Sequence, residues 1–242
     1  MRNVIILAAG KGTRMKSELP KCACEILGKP MITYLVDACI EAEIENIIVV
    51  VGYKKEIIKD VLKDYSNISY AYQDEQLGTG HACMVTKSIL ENVSGSTVIV
   101  PGDMPLVGKD NLVNLIKYHE ENNLSMTILS SIFDNPFSYG RIVRENNSVI
   151  GIIEEKEATE EQKLIKEINT GLYVVDNITL FESLELIDNN NNKHEYYLTD
   201  IVKVISKHSK VDAVVCEYDY HLTGINDLDT LHFVEEKLKS EN

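Results

Sequence analysis

The chain has 242 residues, a net charge of −14 from 24 cations against 38 anions, and a hydrophobic fraction of 44%. That length is ample for a hydrophobic core in one domain, or in a domain with a modest subdomain. The acidic balance argues against nucleic acid or an anionic membrane surface as a partner. No apolar run approaches the roughly 18 residues that a membrane span needs, and five cysteines without a framework spacing suggest reduced thiols, so a cytoplasmic protein is expected.

The elements follow in chain order. Val4–Ala8 is an apolar run that stops at Gly10, and Ile32–Ala42 reads as a helix with Pro30 near its first turn. Asn46–Val51 is continuously apolar, as a strand covered on both faces is. Glu56–Lys63 is helical, Ile68–Gln73 alternates as a strand, Gly80–Leu90 is helical and Thr97–Val100 is a buried strand. Asp110–Glu121 is an amphipathic helix, with Leu112, Leu115 and Ile116 on one face, before a strand over Met126–Ser131. Beyond residue 134 the pattern changes. Arg141–Arg144 and Val149–Ile153 form a hairpin, Ala158–Lys166 a charged helix and Asn169–Val175 a strand. Leu198–Ile205 is helical, Val211–Cys216 a strand and Leu228–Leu238 an amphipathic helix. This alternation predicts an α/β fold: a Rossmann-like open, mostly parallel sheet with helices on both faces and a small β subdomain inserted after it. Ligands of such sheets sit beyond the C-terminal ends of the strands.

The loops that follow the strands carry the unusual residues. Residues 1–30 hold six cations and two anions, a positive cluster on an acidic body that suggests a small anionic ligand. Within it, LAAGKGTRMKSELPK (7–21) begins like a dinucleotide fingerprint, but Met15 stands where the third glycine belongs and Pro20 interrupts the helix. What remains is a glycine-rich loop flanked by Lys11, Arg14 and Lys21. It reads either as a solvated connection or as a flexible cationic lid whose N–H groups wrap a polyphosphate. Asp103 ends a buried strand, where a turn residue before Pro105 is the plain alternative, and Asn226 precedes the last helix, where an N-cap is natural. Cys22 and Cys24 have no second pair at zinc spacing. His81, His194, His208 and the cysteines carry no assigned chemistry.

The stretch 7–21 resembles the signature of the nucleotidyltransferases that make nucleotide sugars. Seven further motifs resemble that family in its order: QDEQLGTGHA (73–82), GDMPL (102–106), YGRI (139–142), IEEK (153–156), EINTG (167–171), EYYLTD (195–200) and GIND (224–227). More narrowly, they resemble the uridylyltransferase half of the bacterial bifunctional N-acetylglucosamine-1-phosphate uridylyltransferase/glucosamine-1-phosphate acetyltransferases. The resemblance covers essentially the whole chain. It implies one nucleotidyltransferase domain, with a nucleotide-binding part at 1–133 and a sugar-binding part with the C-terminal helix at 134–242.

By that resemblance, Leu7, Ala8, Ala9 and Gly10 line the uridine end, Gln73 reads the uracil, and Gly78 and Thr79 form a second base loop. Arg14 and Lys21 neutralise the triphosphate, Gly102 lies in the substrate site, and Asp103 and Asn226 hold a catalytic Mg²⁺. Gly140, Glu154, Asn169 and Thr199 contact the amino sugar, with Tyr197 beside it. The implied substrates are a nucleoside triphosphate and a sugar 1-phosphate, and the implied product is UDP-N-acetylglucosamine. The bifunctional family continues into a β-helix of hexapeptide repeats. These 242 residues contain none, so acetyl transfer is not expected of this chain and the oligomeric state stays open. Two alternatives remain: another sugar-1-phosphate nucleotidyltransferase or cytidylyltransferase, and a non-catalytic nucleotide-sugar sensor.

Overall fold

In a computed structural model, which describes residues 1–241, the apolar runs become strands and the amphipathic stretches become helices. The first part of the chain contributes β1 (Arg2–Ala8), a two-residue hairpin of β2 (Glu25–Ile26) and β3 (Lys29–Pro30), α1 (Met31–Glu41), β4 (Asn46–Val51), α2 (Lys55–Val61) and β5 (Ile68–Tyr72). Next come α3 (Thr79–Met84), α4 (Lys87–Leu90), β6 (Ser96–Pro101), α5 (Gly108–Glu121) and β7 (Met126–Ile132). The hairpin β8 (Arg141–Glu145) and β9 (Ser148–Ile153) follows, then α6 (Glu160–Lys163), β10 (Glu167–Asp176), α7 (Asn177–Leu184), α8 (Asp200–Ile205), β11 (Val211–Cys216) and α9 (Leu228–Glu241).

The sheet runs in the order β11-β7-β10-β6-β1-β4-β5, with β8 and β9 attached beside β10. Neighbours pair in parallel except at β10, which is antiparallel to both β6 and β7. Alternation along the strands divides the core. Val4, Ile6, Ala8, Ile47, Val49, Val98 and Val100 point to one face, where they meet Leu35 and Val36 of α1 and Leu112 and Leu115 of α5. Ile5, Ile48, Val50 and Ile99 point to the other, against Leu180 and Phe181 of α7 and Ile201 and Val202 of α8. With both faces covered, the strands can be apolar throughout, which is why β4 reads as an unbroken run. No helix among the described residues is long and apolar enough to cross a membrane.

A third apolar cluster joins the two ends of the chain. Met15, Cys24, Ile26 and Met31 pack with Ile225 and with Leu231 and Val234 of α9. Met15 is 2% exposed. The cationic loop is therefore not the free lid that its charge suggests. It is pinned at Met15, the residue in the third-glycine position, while its charged neighbours remain at the surface.

Three elements differ from expectation. The helix over 80–90 is two helices, because the Thr86 hydroxyl donates to the Cys83 carbonyl at 2.7 Å and the chain turns at Val85–Thr86. The charged helix over 158–166 is a single turn, closed by a capping box between Thr159 and Gln162, because Glu167 already belongs to β10. The helix α7 was not anticipated: no element was expected between the strand ending at Val175 and the helix beginning at Leu198, but Leu180, Phe181 and Leu184 have a face of the sheet to cover.

Candidate active site

Because β1, β4, β5 and β6 run the same way, the loops after β1, β5 and β6 emerge at one edge, as the topology requires. They enclose a cleft of about 310 Å³ lined by Leu7, Ala9, Gly10, Lys21, Gln73, Gly78, Thr79 and Asp103, together with Cys22, Gln76, Pro101 and Glu195. Two expected members sit differently. The Ala8 side chain is buried in the core on the α1 face, so only its backbone can meet a ligand. Gly102 is absent from the lining. A Cβ there would come within 2.8 Å of both the Leu7 carbonyl and Cys22 Sγ, and its N–H donates to Leu7 O at 3.0 Å. Its part is to let the 102–106 loop close onto the end of β1.

The 76–80 loop is held by the EYYLTD segment. Tyr196 N donates to Leu77 O at 2.8 Å, Gly80 N to Tyr196 O at 2.8 Å, and Leu198 N to Thr79 Oγ1 at 3.1 Å. Gly78 has φ +106°, and a Cβ there would lie 2.5 Å from Tyr196 O, so both conformation and space demand glycine.

A second cavity of about 630 Å³ opens beside the first, lined among others by Arg14, Gly140, Glu154, Asn169 and Asn226. Asp103 and Pro101 line both. An irregularity in the β10–β7 pairing between Asn169 and Tyr173 turns Asn169, Thr170 and Gly171 into this cavity. The Asn169 amide is oriented by its own strand, with Nδ2 donating to the Tyr173 hydroxyl at 2.7 Å and Oδ1 accepting from Gly171 N at 3.1 Å. Thr199 does not line the cavity. It is buried and its hydroxyl donates to Glu154 Oε1 at 3.1 Å, so it orients the carboxylate rather than a ligand. Tyr197 lines an adjoining cavity that also shares Glu154.

Where the two cavities meet, four side chains converge. The Lys21 ammonium bonds the Asp103 carboxylate, and donates to Asn226 Oδ1 at 2.7 Å, which also accepts from Arg14 Nη2 at 2.7 Å. Asp103 and Asn226 are far apart in sequence, but Ile225 N donates to the Asp103 carbonyl at 2.8 Å and fixes one beside the other. The helix cap falls on Asp227, whose Oδ1 accepts from the N–H and hydroxyl of Thr230, which leaves Asn226 free for the site. Those two bonds, with smaller help from Arg14 and Lys21, hold the Asp227 carboxyl below the usual carboxylate range. Burial, reinforced by the Asp103 charge, pushes the Cys22 thiol up to about 12, so it lines the cleft as a neutral thiol and not as a nucleophile.

The family model described as nucleotidyl transferase matches residues 3–224. The chain belongs to the nucleotidyl transferase family. It is 43% identical over 241 residues to the bifunctional protein GlmU of Acholeplasma laidlawii, covering 99% of this chain and 52% of that protein. It is 47% identical over 224 residues to the GlmU of Caldanaerobacter subterraneus, covering 92% and 48%. The chain thus spans about half the length of the curated relatives it matches. In fold it is similar to a UDP-glucose pyrophosphorylase crystallised with UDP-glucose, with a TM-score of 0.79 at 18% identity and full coverage of both chains.

Several residues of this nucleotidyl transferase's cavities escaped the sequence reading. Gln76 and Glu195 lie inside motifs that were noticed, yet nothing in their type distinguished them from solvated loop residues. Thr170, Gly171 and Thr223 depend on a strand irregularity and a loop path that no periodicity reports.

Proposed function

We propose that this nucleotidyl transferase makes UDP-N-acetylglucosamine and pyrophosphate from UTP and N-acetylglucosamine 1-phosphate, in the cytoplasm. The observation that carries the reading is the junction itself: a carboxylate, an amide carbonyl and two cations meet where a narrower cleft opens onto a wider one. The GlmU relatives support the choice of substrates.

The base lies in the cleft, where Gln73, Gly78 and Thr79 bind its edge and the Leu7–Gly10 backbone follows the ribose. The sugar lies in the wider cavity, where Glu154, steadied by Thr199, accepts from its hydroxyls, and Asn169 and Gly140 complete the contact. An oxygen of the sugar phosphate attacks the α-phosphorus in line. The bond from that phosphorus to the bridging oxygen of the β-phosphate breaks, and pyrophosphate leaves. The attacking phosphate is already ionised, so no general base is needed. Arg14 and Lys21 act by position and charge, the kind of work that dominates phosphoryl-type transfers.

Members of this family generally use Mg²⁺. The donor set fits it: Asp103 and Asn226 offer hard oxygens that already converge on one cation, the Lys21 ammonium. Mg²⁺ commonly takes one or two protein oxygens and fills its other positions with phosphates and water. When bound, Mg²⁺ supplies charge neutralisation between the two phosphate-bearing substrates.

The test is a pyrophosphate-release assay across nucleoside triphosphates and sugar 1-phosphates. UTP with N-acetylglucosamine 1-phosphate is expected to give the highest kcat/KM, and absence of turnover with every pair would sink the reading. A binding measurement bears on the junction separately. Lys21 competes for the metal ligands, and two positive charges a few ångströms apart repel by several kcal/mol even in a polarisable site. In Lys21→Met, Mn²⁺ titrated into nucleotide-free protein by calorimetry is expected to bind at least about tenfold tighter than in wild type. Equal affinities would show that Asp103 and Asn226 are not the ligands.

A further inference from the structure

We infer that His81 is a positioning residue that sets which pyrimidine the cleft accepts, an inference that rests on the uridylyl reading above. Gln73 lies at the end of β5, is 4% exposed and lines the nucleotide cleft. Its Nε2 lies 2.9 Å from the Gly78 carbonyl and 3.1 Å from His81 Nδ1. A carboxamide nitrogen has two hydrogens to give and cannot accept. Both are therefore committed inside the protein, and His81 Nδ1 is the acceptor, which puts the imidazole proton on Nε2. No protein donor reaches Gln73 Oε1 among the described residues, which leaves it as the amide's uncommitted atom.

A fixed acceptor suits the N3–H of uracil and opposes the N3 lone pair of cytosine. Turning the amide over would set Oε1 against the Gly78 carbonyl and aim an N–H at the base, which is the arrangement cytosine needs. His81 stands behind Gln73 and is not part of the cleft lining, so it acts through the amide. It sits on α3, whose first turn is tied to the Tyr196–Leu198 segment through Gly80 and Thr79. That tie fixes where the imidazole stands.

The experiment compares kcat/KM for UTP and CTP in wild type, His81→Asn and His81→Phe. Asparagine sets a carbonyl oxygen near the position of Nδ1, and phenylalanine keeps the ring without an acceptor. Wild type and His81→Asn are expected to share one UTP:CTP ratio. His81→Phe is expected to lose at least about tenfold of it, the equivalent of one neutral hydrogen bond, with the change falling on KM. An unchanged ratio in folded His81→Phe would overturn the inference. A second measurement needs no variant: long-range ¹H–¹⁵N spectra of the wild-type histidines are expected to show His81 as the Nε2–H tautomer, and an Nδ1–H tautomer would overturn it as well. A wild type that favours CTP would refute the uridylyl reading instead, and the tautomer would still report whether His81 holds Gln73.

Discussion

Asp103→Asn is expected to lower pyrophosphate release by at least about 10²–10³-fold, the scale on which a preorganised electrostatic contact at a reacting group is lost. The carboxylate is shared by both cavities, and no other acidic side chain among the described residues lines both. The substitution keeps the shape, and the backbone link from Asp103 O to Ile225 N is untouched. Lys21 retains Asn226 as a partner. The ion pair it breaks is partly solvated, with side-chain exposures of 14% and 22%, so its loss should cost stability only modestly, nearer the about 0–1 kcal/mol of solvated pairs than the cost of a buried one. The melting temperature should therefore stay near that of wild type while turnover collapses. Wild-type-like turnover would remove Asp103 from the chemistry.

Arg141→Met has the opposite signature, a large stability effect with a selective kinetic one. Arg141 belongs to the YGRI motif but is 2% exposed and lines neither the cleft nor the wider cavity. Its guanidinium donates to the Tyr139 carbonyl and to Glu155 Oε2, the latter at 2.5 Å, stitching the base of the β8–β9 hairpin to the segment that follows it. Removing one partner of a fully buried pair typically costs about 3–5 kcal/mol, an upper bound here because the Glu155 left behind is 21% exposed. At about 2–4 °C per kcal/mol for a chain of this size, thermal denaturation should show a fall of up to about 20 °C. The hairpin carries Gly140 and leads into Glu154, so in the surviving enzyme KM for the sugar phosphate should rise more than KM for UTP. A variant that melts like wild type would show that the Glu155 pair contributes little.

The strands were legible because a sheet covered on both faces needs continuous apolar runs, and Asn46–Val51 and Val211–Cys216 appear with the bounds their composition suggests. Elements that answer to tertiary demands were not. Nothing local tells Asn177 to begin a helix. The site followed the same division. Arg14 and Lys21 stood out because a cluster of cations on an acidic chain is unusual, whereas Gln73, Asp103 and Asn226 were picked out only by the family resemblance, and the fold brings all five to the two adjoining cavities. Thr199 and Gly102 were found in the right neighbourhood, but whether a side chain faces the ligand or props up the residue that does depends on packing. The pinning of Met15 was hidden for the same reason, since a single methionine among charges gives no pattern.

That pin has a consequence for how the enzyme is made. The cationic loop is made well before its apolar anchor, which comes from Ile225, Leu231 and Val234, more than 200 residues later. The pair proposed to hold the metal is likewise split between Asp103 and Asn226. Contacts so distant in sequence are late and entropically costly to close. The sheet can begin to assemble during synthesis, but the proposed site cannot close around a ligand until residues 225–234 have also emerged.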